Sequence, residues 1–354
     1  MNKNTKYYIF FNNIKGIGPK TLIKLINFFE NIENLYKAKE KDLRNINLKD
    51  SIIKEIIDNK KNNTIDKELE ENLKFSNIIT QEEENFPEFL KNIEDPPIVL
   101  FYKGKINKKE ECVSIVGSRK HSEYGKQVTI KIAEKLINRN ITIVSGLAMG
   151  IDSIAHQTCI NNKKRTIAVL PSGLDFIYPQ FNNSLSIEIL NNNGLLITEF
   201  PINSNIINYN FHRRNRIISG LSKITIVTEA EKSSGSMITV KHALNQGKDV
   251  YVVPGSIFNP FSKGTNNLIK EGANPITDIN NIYEEIGLKE LINKKINNFE
   301  ELNEKEIEII NLIQTNKIEK IYKKYKTQEI NQILSMLEIK GYIIKNENKY
   351  LLNF

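Results

Sequence analysis

Six short, largely apolar runs recur between Cys112 and Ile286: Cys112–Val116, Ile141–Ser145, Thr166–Leu170, Leu195–Thr198, Ile224–Thr228 and Val250–Val253. Stretches of helical period fill most of the gaps, at Tyr124–Asn138, Gly150–Asn161, Asn183–Asn192, Met237–Gln246 and Thr265–Glu271. A strand that is apolar on both faces must be covered on both faces, and a parallel sheet with crossover helices does this repeatedly. The pattern predicts an α/β fold, a doubly wound Rossmann-like parallel sheet forming a core over residues 112–287. Ligands of such sheets bind beyond the carboxyl ends of the strands.

At 354 residues the chain exceeds one ordinary core. Residues 1–75 read as a helical domain of helix-hairpin-helix or SAM-like pattern. In it Gly16-Ile17-Gly18-Pro19 turns into a periodic helix, Thr21–Phe29, and a second helical hairpin runs from Glu40 through Ile57. That turn has two readings, a backbone-amide phosphate site and a plain corner. Residues 76–111 lead into the core, and 288–302 read as a linker. In 303–354, helices at Glu304–Gln314, Ile318–Lys324 and Thr327–Lys340 precede two short strands, a winged-helix pattern. The only cysteines, Cys112 and Cys159, sit in apolar surroundings, which favours reduced core thiols. No secretory h-region and no membrane-length apolar stretch occur, so the expected location is cytoplasmic, with no membrane partner.

Small residues crowd the loops after the strands: Gly117-Ser118-Arg119, Ser145 to Asp152, Pro171-Ser172-Gly173, Ser233-Ser234-Gly235-Ser236 and Pro254-Gly255-Ser256. Such loops let an anion approach backbone amides and helix N-termini. Between Pro201 and Thr228 the chain runs 28 residues without Asp or Glu, and its centre reads Phe211-His212-Arg213-Arg214-Asn215-Arg216. Guanidinium groups beside an aromatic face suit a polyanion carrying bases. The other reading is a helix start whose arginines are simply solvated. The formal net charge of +8 agrees with an acidic partner, though Lys is spread throughout.

Several chemistries are set aside. The first loop lacks the Gly-x-Gly-x-x-Gly spacing of a dinucleotide site, and no phosphate-binding NTPase loop exists. His121, His156, His212 and His242 stand apart, without a ligand-spaced pair, so no metal site is expected. Asp152, Asp175, Glu199 and Glu229 lie near strand ends without an evident acid–base partner. The expectation is a non-enzyme with no cofactor. His156 and His242 read as packing residues, Tyr124 as a core aromatic capping the first loop, and Gly150 and Asp152 as shaping the second loop.

Taken in order, Gly117-Ser118-Arg119 with Tyr124-Gly125, Ser145 to Asp152, Phe211 to Leu221, and Ser233 to Thr239 resemble the DprA family, also called Smf. The lead-in from Phe86-Pro87 through Asp95-Pro96-Pro97 to Lys103-Gly104 is similar too, and the resemblance runs from about Asn85 to Ile286. It implies a protein that binds single-stranded DNA, protects incoming DNA and loads the RecA recombinase in natural transformation, with cores pairing into a homodimer. It places Ser118 and Arg119 on phosphate and Phe211 on a base. Arg213, Arg214 and Arg216 would line the strand path, and Asn215 and the Ser234-Gly235-Ser236 loop would supply neutral hydrogen bonds. The segment Asn203–Asn210 departs from the family pattern, lacking the Lys or Pro expected ahead of Phe211. The alternative is a nucleotide-processing hydrolase of related architecture, the nucleoside monophosphate phosphoribohydrolase type. Its second-loop glutamate is missing, since Ser233–Ala243 holds no carboxylate. A transcription factor reading the major groove through Gln328, Asn331 and Gln332 is a third class.

Overall fold

The structure, a computed structural model, describes residues 2–46, 48–62, 64–286, 302–314, 322, 326–339, 342–346 and 349–352. The chain divides into two compact units, Met1–Ile137 with Ile141–Ile282, and Asn138–Asn140 with Tyr283–Phe354.

The first unit opens with six helices: α1 Thr5–Asn13, α2 Pro19–Phe28, α3 Ile32–Lys37, α4 Glu40–Arg44, α5 Asp50–Asn62 and α6 Ile65–Phe75. Proline at the first position of α2 supplies the fixed φ of a helix start. Buried residues of this bundle, among them Phe11, Leu25, Leu35 and Ile56, join one apolar cluster with Val99, Phe101 and Leu196 of the sheet. The helices are therefore packed onto the core rather than tethered to it.

A nine-stranded sheet follows. Its strands are β1 Asn77–Thr80, β2 Val99–Gly104, β3 Cys112–Val116, β4 Thr142–Ser145, β5 Thr166–Val169, β6 Leu195–Thr198, β7 Ile224–Val227, β8 Val250–Val252 and β9 Asn274–Pro275, in the order β1-β2-β6-β5-β4-β3-β7-β8-β9. From β6 to β9 every pairing is parallel, and β3 to β8 are buried at every position. The doubly wound core is present. The lead-in adds two strands that the apolar runs do not announce: β2 joins β6 antiparallel and β1 joins β2 antiparallel, so the sheet is mixed.

The connecting helices are α7 Glu88–Lys91, α8 Glu123–Ile137, α9 Ile151–Asn161, α10 Asn183–Asn191, α11 Asn208–Leu221, α12 Ser236–Asn245 and α13 Lys263–Lys270. The chain winds from β3 out to β6, then returns to place β7 on the other side of β3. Loops after β3 and β7 part at that switch and leave a crevice. Cys112 and Cys159 are both free and buried. Tyr124 is about half exposed, its hydroxyl donating to Pro254 O at 2.9 Å, so it is not the core aromatic expected from the sequence.

In the second unit, helices Glu304–Gln314 and Thr327–Ile339 and an antiparallel pair, Ile343–Asn346 with Lys349–Leu352, enclose Ile309, Ile310, Ile313, Ile330, Leu334, Leu337 and Ile343. The expected helix Ile318–Lys324 and most of the expected linker lie outside the described residues. Among the described residues, no helix is long and apolar enough to cross a membrane.

Candidate nucleic-acid interface

Helix α11 decides which of the predicted residues meet. An α-helix returns to the same face every three to four residues. Phe211, Arg214, Asn215 and Ile218 therefore share one face, and Tyr209, Arg213 and Arg216 another. Each face lines a different cavity.

The first face opens onto the switch-point crevice, a cavity of about 520 Å³. Its walls bring together Ser118 and Arg119 after β3, Ala148 and Asp152 after β4, and Ser234, Gly235 and Ser236 after β7. Ser118 is buried and positions the loop: its N–H donates to Glu229 O at 2.8 Å, and its Oγ accepts from Glu231 N at 3.2 Å. Arg119 is exposed, its guanidinium 5.6 Å from the centre of the Phe211 ring. Tyr178 meets the same ring edge-on, at 5.6 Å and 73°. Asn215 Nδ2 donates to Gly235 O at 3.4 Å, and Ser234 and Ser236 share a hydroxyl hydrogen bond at 2.8 Å.

Arg214 sits beneath this surface. It is buried, Nη1 donating to Val169 O at 3.0 Å, and Nε finds no acceptor among the described residues. Burial lowers its pKa to about 10, opposed by the Asp152 carboxylate, so it stays charged at neutral pH. Burial raises the Asp152 carboxyl, with Arg214 and the Gly146 N–H, 3.1 Å away, acting against the rise. Glycine is required at 146 because a Cβ there would overlap the Arg214 guanidinium. Gly150, at φ +83°, brings its backbone against Ser118 O and Arg119 O where a side chain would not fit. Asp152 is thus the internal counter-ion of Arg214 as well as a loop-shaping residue.

Arg213 and Arg216 do not join the cavity, contrary to the grouping made on the sequence. Both converge on the buried Glu199, at 2.8 and 2.6 Å, and Arg216 also pairs with Asp95 at 3.1 Å. They line the second cavity, of about 330 Å³, beside Lys20, Thr21 and His242. The run of 28 residues without a carboxylate is therefore neutralised from outside it, by Glu199, Asp95 and Asp152. His212 is exposed and its carbonyl accepts from His242 Nε2 at 3.2 Å.

Lys120, Tyr178 and Glu231 belong to this surface and were not singled out from the sequence. Lys120 had a signal, since it adjoins Arg119 in the same loop. Tyr178 had a weaker one, the Tyr178-Pro179 step that closes the loop after β5. Among the described residues, no group of three or more His, Cys, Asp or Glu is placed to hold a metal ion.

The arrangement offers an exposed guanidinium on an aromatic ring, a buried guanidinium under it and a rim of hydroxyls and amides. That is a surface for a phosphate and a base side by side. The DNA recombination-mediator protein A family matches residues 77–287. Protein Smf of Synechocystis is 37% identical over 300 residues, which cover 83% of this chain and 75% of that protein. The X-ray structure of DNA processing protein A from Streptococcus pneumoniae matches with a TM-score of 0.70 at 32% identity, covering 80% of this chain and 98% of that one. A structure of the Helicobacter pylori protein, concerned with its single-stranded DNA binding mode, matches with a TM-score of 0.54 at 32% identity, covering 63% and 97%.

Proposed function

This chain belongs to the DNA recombination-mediator protein A family, and on that premise we propose that it binds single-stranded DNA, protects incoming strands and loads the RecA recombinase in transformation and recombination. The observation that carries this reading is the Arg119–Phe211 pair at the mouth of the switch-point cavity. A flexible single strand presents bases to the ring and phosphates to the arginine at once, whereas a stiff duplex hides its base faces. Ser118, Asn215 and Ser234–Ser236 supply the neutral rim, and Arg214 supplies positive potential from below.

In this reading the protein acts by binding and not by turnover, works in the cytoplasm as a homodimer, and uses its C-terminal unit as a winged-helix accessory module. Asp152, which lines the cavity with Glu231, is engaged by Arg214 and the Gly146 N–H, which leaves it poorly suited to acid–base work. Gel-shift competition between single- and double-stranded oligonucleotides at two salt concentrations tests the reading. Single strands should win with little sequence preference, and equal affinity for duplex at moderate salt would refute it. Release of free base from nucleoside monophosphates would favour the hydrolase instead. Light scattering at micromolar concentration should report two chains.

A further inference from the structure

The loop after β8 carries Phe258, the most exposed large apolar side chain described at 89%, and beside it Ile257 at 75%. Tyr124 continues the patch, tied to that loop through its hydrogen bond to Pro254 O. Two links set the loop beside the cavity. Asn259 Nδ2 donates to Glu229 Oε1 at 3.3 Å, and the same carboxylate accepts from Ser122 N and Oγ at the end of the Arg119 loop. Gly264 N donates to Ala230 O at 2.8 Å, next to Glu231 in the cavity wall.

Charge distinguishes this flank from the opposite one. Lys120, Lys232 and Lys263 are exposed around the patch, and none is in an ion pair among the described residues. On the other flank Phe176 and Phe181 are also exposed, but the stretch 171–192 contains no Lys or Arg. Lys103 reaches that flank from β2, but it is half-buried and its Nζ donates to Leu174 O at 3.1 Å, so the exposed, unpaired lysines lie toward β8.

We propose that the Ile257–Phe258 loop is a second stacking platform, over which a single strand continues from the Arg119–Phe211 cavity while Lys120, Lys232 and Lys263 meet its phosphates. The proposal rests on the single-strand reading above and commits to the same nucleic acid as occupant of the patch. Exposed aromatics interleaved with free lysines are what a sequence-tolerant single-strand path requires.

The test uses the full chain and two oligothymidines, one of about 6 and one of about 16 nucleotides, lengths inside the range of about 4–16 that OB folds take up on single strands. Phe258→Ala should weaken the longer oligonucleotide by about 5- to 140-fold, the equivalent of one lost stacked base, and leave the shorter one unchanged. Lys232→Ala and Lys263→Ala should each shallow the salt slope by about 0.7 for the longer strand alone. Parental affinity of Phe258→Ala for both lengths would overturn the platform, as would equal losses at both. A fall from two chains to one in light scattering of Phe258→Ala would assign the patch to a second copy of this chain and also overturn it. Failure of the parent to hold the short strand is a separate result: it removes the cavity reading, and the platform with it.

Discussion

Phe211 holds the sharpest quantitative consequence of the proposed reading. In the structure the Arg119 guanidinium lies 5.6 Å over its ring, and Tyr178 closes another side edge-on. A base that stacks on Phe211 takes the place of Arg119, which then turns to a phosphate. Binding therefore loses one cation–π contact, about 0.5–1 kcal/mol for an exposed arginine. Arg119→Ala forfeits the phosphate contact but spares that loss. Phe211→Ala forfeits stacking, about 1–3 kcal/mol, and spares the same loss. The double variant forfeits both contacts and spares the loss only once. Its binding should therefore be weaker than the sum of the single effects by about 0.5–1 kcal/mol, or about 2- to 5-fold in Kd. Anisotropy titrations of an oligothymidine with the four proteins at one salt concentration measure this directly. A coupling of zero would show that the cation stays on the ring in the complex. A double variant that binds better than additivity would refute the exchange altogether.

Arg214→Met should act mainly on the fold: stranding the buried Asp152 carboxylate costs about 3–5 kcal/mol, read as a lower denaturant midpoint. Arg213→Ala should leave both affinity and salt slope for a short single strand at parental values, because its partner is Glu199 and not the ligand; a slope shallower by about 0.7 would return it to the strand path. His156 donates Nδ1–H to Thr166 Oγ1, whose own proton goes to Ile143 O, and burial pushes its pKa down to about 3. The unfolded chain therefore binds the extra proton below about pH 6.5, and stability falls by up to about 1.4 kcal/mol per unit as pH drops toward 5. A His156→Gln variant should lose stability less steeply over that range in thermal melts, and parallel curves would remove His156 as the cause.

The parallel core was legible because each central strand is buried on both faces, and that burial leaves an unbroken apolar run. β1 and β2 were not, since they pair antiparallel across a connection whose helix, α7, spans only Glu88–Lys91, and so lack the long strand–helix alternation of the parallel core. The cavity loops were legible through their small residues, which the backbone approach at Gly146 and Gly150 demands. The three arginines were misgrouped for two reasons. Counting charge along the chain ignores counter-ions that arrive from elsewhere, here Glu199, Asp95 and Asp152. Helical period, available in the sequence, already separates Arg214 from Arg213 and Arg216. Lys120 shows the opposite error, a neighbour of a chosen residue passed over.

The two faces of α11 also bear on what length changes the protein tolerates. Each residue advances a helix by about 100°. Inserting or deleting one residue between Asn208 and Phe211 would, if the rest of α11 stayed anchored through Ile217 and Ile218, leave most of the helix in place but displace its opening turn. The same change between Phe211 and Arg213 would swing Phe211 out from beside Arg119 while the Glu199 pairs held their positions. Substitutions on either face have graded effects, but a shift of frame carries the displaced residues about 100° around the helix and off both faces. Among relatives, this segment should accordingly vary in identity far more readily than in length, and gaps should fall before Asn208 or after Leu221.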